Sequence, residues 1–117
     1  MPDKPKAPPE SVAHYDRLVA SIPEVERKGA TMPYTAVNGN MFSYLDASGS
    51  MALRLPEADR ATFIVEFHTH LHEAYGIVQK EYVTVSAPLL AETAKLAPWF
   101  EASHRYALGL RPKPSKR

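Results

Sequence analysis

Residues 38–56 read NGNMFSYLDASGSMALRLP, and the hairpin they encode is the centre of the predicted fold. Asn38-Gly39 is a strong turn dipeptide, and a second turn around Gly49 separates two short runs of strand-forming residues. We therefore predict a β-hairpin whose strands cover residues 41–45 and 51–55. Because side chains alternate across a strand, the first strand should have two different faces. One face carries Met41, Ser43 and Leu45, and the other carries Phe42 and Tyr44.

Segments on either side of the hairpin extend it into a small antiparallel sheet. Residues 29–37 favour extended backbone, but Pro33 confines them to an edge or an irregular strand. Residues 80–85 read KEYVTV, a β-branched and aromatic run that predicts the last strand.

Three helical regions are predicted to flank this sheet. Apolar residues recur at helical spacing over residues 10–22. A middle helix begins at Pro56 and is predicted to continue to Gly76, because one face is lined by the apolar side chains of Ile64, Phe67, Leu71 and Tyr75. After a short helix, we predict a break or kink at Pro98 and then a final helix. This order predicts an α+β domain with N-terminal, middle and C-terminal helices.

The chain has 117 residues and suits a single domain, since domains commonly have about 100–150 residues. We place the domain at residues 10–110, between a flexible lead, residues 1–9, and a basic flexible tail, residues 111–117. There is no cysteine, which excludes disulfides and thiolate metal sites. No apolar run approaches the roughly 20 residues of a membrane helix, and no secretion signal is recognisable. We therefore predict a cytoplasmic protein without a membrane partner.

Charge is distributed unevenly along the chain. The net charge is +1, yet residues 111–117 carry four basic side chains and no acidic one. The other 110 residues hold ten basic and thirteen acidic side chains, whereas folded domains that bind nucleic acids usually present a basic face. Any nucleic-acid binding is thus expected from the tail, whose alternative role is that of a solvated terminus.

The histidine-rich run at residues 67–72, FHTHLH, is the candidate metal site. On the predicted helix, His68 and His72 are four residues apart and share a face, while His70 points away. In a strand, His68, His70 and His72 would share one face and could bind zinc, nickel or copper. The helical spacing argues against that interpretation and leaves two histidines, which are too few for a closed tetrahedral site. The alternative interpretation is a helix whose polar flank is rich in histidine.

Charged residues on the strands are the candidate contacts for a protein partner or a small anion. Arg54 lies on the return strand of the hairpin, and Lys80 and Glu81 open the last strand. These side chains could share a groove and hold a partner's carboxylate. Alternatively, each lies on a solvated face and pairs with a nearby acid such as Glu57 or Glu81.

Aromatic residues of the final helix are the candidate dimer surface. Trp99, Phe100 and Tyr106 recur at helical spacing, which is typical of core or of an interface between subunits. A stacking platform for nucleic-acid bases is the alternative.

Catalytic motifs are not recognisable in the sequence. Ser50 follows Gly49 but lacks the second glycine of a nucleophile elbow. The glycines are too scattered for a phosphate loop or a dinucleotide turn. We therefore predict no catalytic residue, no cofactor and a non-enzymatic protein.

Several segments resemble the N-terminal domain of the TfoX/Sxy family. They are KGATMPY at 28–34, the hairpin ending in ALRL at 52–55, RATF at 60–63, QKEYVTV at 79–85 and LAPWF at 96–100. The resemblance covers about residues 27–110. It implies a bacterial, cytoplasmic α+β domain, and the family's namesake members regulate DNA-uptake competence with a cyclic-AMP-responsive transcription factor. Those regulators carry a second, C-terminal domain that the sequence up to Arg117 does not contain, so this chain would be a single-domain member.

The expected function is that of an interaction module that binds a protein partner or itself. Arg54, Lys80 and Glu81 would supply polar contacts, and the aromatic final helix a dimer surface. Binding of a metal or a small anion through His68 and His72 is the main alternative.

Overall fold

A computed structural model describes residues 7–29, 32–74 and 76–112. These residues form four helices and five strands, and the strands form one antiparallel sheet in the order β1-β2-β3-β5-β4. The predicted α+β class with a central hairpin is confirmed. The elements are α1 (Pro9–Val19), β1 (Tyr34–Val37), β2 (Asn40–Leu45), β3 (Met51–Arg54), α2 (Glu57–Phe67), β4 (Leu71–Ala74), β5 (Ile77–Val85), α3 (Ala87–Leu90) and α4 (Thr93–Leu108).

The helices pack against one face of the sheet, which we call the helix face. Helices α1 and α4 contact β2, and α2 contacts β5. Phe42 of β2 packs against Phe100 of α4, with ring centroids 5.6 Å apart, and Phe63 of α2 packs edge-on against Trp99 of α4 at 5.1 Å. The strand side chains on this face are almost completely buried and form the core together with the helices. They include Leu45, Met51, Leu53, Val83 and Val85.

A polar cluster lies inside this core. The hydroxyl groups of Tyr15 and Ser43 are 2.6 Å apart, and Ser43 also forms a hydrogen bond with Thr35 of β1. All three side chains are fully buried, so their polar atoms must satisfy one another. Burial raises the pKa of Tyr15 to about 12. The cluster therefore holds α1 against β1 and β2 inside the core.

A β-bulge changes the faces of β2. Thr35 pairs with Ser43 but Ala36 pairs with Met41, so Phe42 is the extra residue opposite β1. Phe42 and Ser43 consequently both reach the helix face, while Met41 and Tyr44 line the same groove on the other face. The predicted alternation, which put Phe42 with Tyr44 and Met41 with Ser43, is therefore wrong.

Helix α2 ends at Phe67 and not near Gly76 as predicted. His68 adopts a left-handed conformation with φ 54° and ψ 48°, and the Thr69 N–H donates to the Ile64 carbonyl, as at a Schellman helix end. Residues 71–74 then pair with β5 as strand β4. The predicted apolar stripe through Ile64, Phe67, Leu71 and Tyr75 is thus divided between a helix and a strand, and Tyr75 lies outside the described residues.

A break or kink is predicted at Pro98, and helix α4 runs through this residue, so the helix is not broken there. Proline removes one helical hydrogen bond, which here is the bond to the Ala94 carbonyl. Ala94 is exposed near the start of the helix, where solvent can replace the missing donor. None of the four helices in the described part of the chain is long and apolar enough to cross a membrane.

The ends of the described chain pack onto the domain. Ala7 is buried and α1 begins at Pro9, so the predicted flexible lead is too long at its C-terminal end. At the other end, the side-chain amide of Asn40 donates to the Arg111 carbonyl at 3.0 Å. Residues 1–6 and 113–117 lie outside the described residues.

The position of Phe100 predicts a large effect on stability. Phe100→Ala should lower the free energy of unfolding by about 3–5 kcal/mol, because it leaves a cavity against Phe42. Val65→Ala, at a side chain that is 74% exposed, is the matched control and should change it by less than about 0.5 kcal/mol. Urea unfolding measures both values, and equal small effects would contradict the assignment of Phe100 to the core.

Candidate functional site

The sheet face opposite the helices, which we call the open face, is covered by two tyrosine rings. Tyr44 starts on β2 and its hydroxyl donates to the Gln79 side chain on β5, on the far side of β3. Tyr82 starts on β5 and its hydroxyl donates to the Met41 carbonyl on β2, at 2.8 Å. The rings thus cross β3 in opposite directions, with centroids 5.8 Å apart. Ala52 of β3, the register neighbour of Tyr44, is completely buried, and the register neighbour of Tyr82 on the same strand is Arg54.

Arg54 and Glu81, both predicted as partner contacts, bind each other on this face. Arg54 Nε lies 2.6 Å from Glu81 Oε1, and the guanidinium group also donates to the Met41 carbonyl at 3.2 Å. The guanidinium carbon is 5.9 Å from the Tyr82 ring centroid, within the range of a cation–π contact. Arg54 is therefore already engaged within the chain. Lys80 is exposed and forms no ion pair within the described residues.

His72 of β4 closes one side of the open face. Its Nδ1 atom is 2.9 Å from Thr84 Oγ1, and its ring packs edge-on against Tyr44 with centroids 5.6 Å apart. Burial lowers the pKa of His72, and the nearby Asp46 carboxylate opposes that shift only in part. The side chain is only 5% exposed, so His72 is a neutral, buried group at neutral pH.

Asp46 connects the end of β2 to His72. Its Oδ1 atom accepts the backbone N–H groups of Ser48 and Ser50 and the Ser48 hydroxyl, which fixes the β2–β3 turn. Its Oδ2 atom faces His72 Nε2 at 3.7 Å, too far for a direct hydrogen bond. Gly49 keeps the turn against α1, because its φ of +93° favours glycine and an added Cβ would lie 2.7 Å from Ser11 Oγ.

The predicted pairing of His68 with His72 depended on a continuous helix, and that premise is wrong. His68 is exposed at the end of α2, whereas His72 is buried in β4. Within the described ranges, no group of three or more His, Asp or Glu side chains is placed to hold a metal ion.

The aromatic residues of α4 do not form one outer surface. Phe100 is completely buried, so it belongs to the core of this chain. Trp99 is partly buried and packs edge-on against Phe63 and Phe67 of α2. Tyr106 is partly buried.

A groove with a volume of about 680 Å³ lies on the open face, between β1 and β2 on one side and β4 on the other. Its lining is mainly apolar and aromatic, and its polar groups include two carboxylates but no lysine or arginine among the described residues. This volume is within the range of small-molecule and peptide pockets, about 300–1,000 Å³. Its walls include Met32, Tyr34, Met41, Tyr44, Asp46 and Glu73.

Sequence reasoning did not identify Tyr34, Tyr44, Asp46 or Tyr82 as members of one site. Strand pairing brings the tyrosines together from β1, β2 and β5, and Asp46 follows β2 directly. The bulge also changes which face of the sheet the side chains of β2 reach. The available signal was the alternation in β5, where Tyr82 and Thr84 lie on the face opposite Val83 and Val85.

Comparison of this chain with family models, with curated proteins and with solved structures found no match. The resemblance to the TfoX/Sxy family therefore stays a prediction.

Burial of two tyrosines predicts an unusual alkaline titration. Burial raises the pKa values of Tyr15 and Tyr82 to about 12, from the ordinary value of 10.0. Because the folded state favours the protonated phenols, their contribution to stability is complete below pH ~10 and is lost as the pH rises toward 12. Tyrosinate absorbance should therefore include a late phase from Tyr15 and Tyr82, together with unfolding.

Tyr82→Phe supplies the control for this titration, since it should remove one late-titrating group and leave the other. Ionisation of all tyrosines near pH ~10 in a chain that stays folded would contradict the raised pKa values of Tyr15 and Tyr82.

Proposed function

We propose that this chain is a non-enzymatic interaction module that binds a segment of a protein partner in the groove of the open face. The main support is the groove itself, an apolar and aromatic depression on the sheet face that the helices leave uncovered. Met41 is 36% exposed at its edge, and Tyr34 and Tyr44 supply aromatic surface. Aromatic and methionine side chains are the types enriched at protein interfaces.

The polar groups near the groove favour binding over catalysis. Thr84 contacts His72, but the threonine is not among the described residues that line the groove. Ser48 lines the groove, and its hydroxyl donates to Asp46 and has no histidine partner. Among the described residues, the only base next to the Ser48 hydroxyl is Asp46 Oδ1, which already accepts the Ser48 and Ser50 backbone N–H groups of the turn. Neither hydroxyl therefore combines access to the groove with the hydroxyl–histidine pair of an activated nucleophile.

The resemblance to the TfoX/Sxy N-terminal domain gives separate support, because it implies a regulatory domain that acts through another protein in the bacterial cytoplasm. Competence regulation itself is not part of the proposal. Nucleic-acid binding is less well supported, since the groove carries carboxylates and the basic residues 113–117 lie outside the described residues.

Self-association is a second candidate, favoured by one observation. Ile77 and Val78, at the start of β5 next to the edge strand β4, are 68% and 50% exposed. Exposed apolar side chains beside a sheet edge are typical of sites where a second chain packs. If a concentration-dependent dimer forms, Ile77→Asp should reduce its population in light scattering.

The groove proposal predicts a selective loss of binding. Met41→Asp places a charge on the apolar wall, and it should reduce capture of the specific partner from a lysate of the native host by tenfold or more, about 1.4 kcal/mol. The fold should persist, because only the backbone carbonyl of Met41 binds Tyr82 and Arg54.

Val65→Asp is the matched control, with the same new charge on α2 at the opposite side of the sheet. Quantitative mass spectrometry of the captured proteins should show the partner retained by Val65→Asp and depleted with Met41→Asp. Equal capture by the two folded variants would exclude the groove as the binding surface.

A further inference from the structure

The charge of the groove limits what kind of side chain it can accept. Asp46 and Glu73 contribute two carboxylates, and none of the described lining residues is lysine or arginine. Arg54, whose guanidinium donates to the carbonyl of the lining residue Met41, is paired with Glu81. His72 also faces the groove, and its lowered pKa keeps it uncharged at neutral pH, so it does not neutralise Asp46.

Each carboxylate retains an oxygen for a ligand. Asp46 Oδ1 is occupied by the β2–β3 turn, but its Oδ2 atom is 3.7 Å from His72 Nε2, beyond hydrogen-bond distance. Glu73 is exposed on β4 and forms no ion pair within the described residues. Two carboxylates on the border of an apolar groove complement a positive group.

The aromatic walls add to the same preference. Tyr34 and Tyr44 lie opposite each other on neighbouring strands and both line the groove. Aromatic rings attract ammonium and guanidinium groups through their negative faces. Met32 and Met41 present flexible apolar side chains that can pack along an alkyl stem.

We infer that the groove binds the cationic side chain, lysine or arginine, of an extended segment of the partner protein. This inference rests on the proposed function and names the chemistry of the partner. The carboxylates of Asp46 and Glu73 hold the charged head, and the tyrosine and methionine walls hold the alkyl stem. A phosphate-bearing ligand is repelled by the same two carboxylates.

The test uses small probes that isolate the charge. Isotope-labelled full-length protein is titrated with N-acetyl-lysine amide and N-acetyl-arginine amide, and NMR follows the amide signals of Asp46, Ser48 and Glu73. N-acetyl-norleucine amide, which has an uncharged alkyl side chain, is the control probe. At least one cationic probe should shift these signals and bind about threefold or more tightly than norleucine.

A matched pair of variants tests the carboxylate. Glu73→Gln should weaken binding of the cationic probe about twofold to fivefold and leave binding of the norleucine probe unchanged. Glu66→Gln, an exposed acid on α2 at the other side of the sheet, should leave both unchanged.

Two results would overturn the inference. Equal binding of norleucine and the cationic probes would mean that the groove selects apolar side chains, and the proposed function would stand. Absence of shifts with every probe would also reject a cation site. The proposed function is tested separately, and it is contradicted if the Met41→Asp variant captures the partner as well as the Val65→Asp variant does.

Discussion

The open face of this protein depends on two tyrosines that cross the same strand in opposite directions. Tyr44 reaches from β2 to Gln79 on β5, and Tyr82 reaches from β5 to the Met41 carbonyl on β2. Each hydroxyl hydrogen bond contributes about 0.5–1.5 kcal/mol, and an aromatic pair adds a similar amount. On β3, Tyr44 has the small Ala52 as its register neighbour, and Tyr82 has Arg54, whose guanidinium lies over its ring. Because the rings are tied down at both ends, they present fixed aromatic surface without needing a helix to cover them.

The fold followed from local patterns wherever those patterns agreed with the strand pairing. The turn residues and the alternation predicted the β2–β3 hairpin to within one residue at each end. The prediction of a helix after Phe67 was wrong. The apolar spacing there suits a helix, but His68 is left-handed and residues 71–74 pair with β5 as a strand. The predicted face of Phe42 was wrong for a similar reason, because the bulge that turns Phe42 to the helix face arises from the pairing of β2 with β1.

The candidate site was less predictable than the fold. For Arg54 and Glu81 the sequence predicts either contacts with a partner or pairing with a nearby charged residue. The structure shows the pairing, because their strands are adjacent in the sheet and the two side chains bind each other. The groove is assembled from four strands and one turn, so no sequence window contains it. The sequence singles out His72 as half of a helical metal pair, but the side chain lies on a strand beside Asp46. Sequence spacing gives no indication of that neighbour.

The central claim is that the Tyr44 ring crosses β3 over its register neighbour Ala52 and lines the groove, and the NMR signal of the Ala52 methyl group tests it most directly. A methyl group beneath an aromatic ring is shifted strongly upfield and shows nuclear Overhauser contacts to the ring protons. The account predicts such a shift, with contacts from the Ala52 methyl to the ring protons of Tyr44. An Ala52 methyl at its ordinary chemical shift, without contacts to the Tyr44 ring, would contradict it.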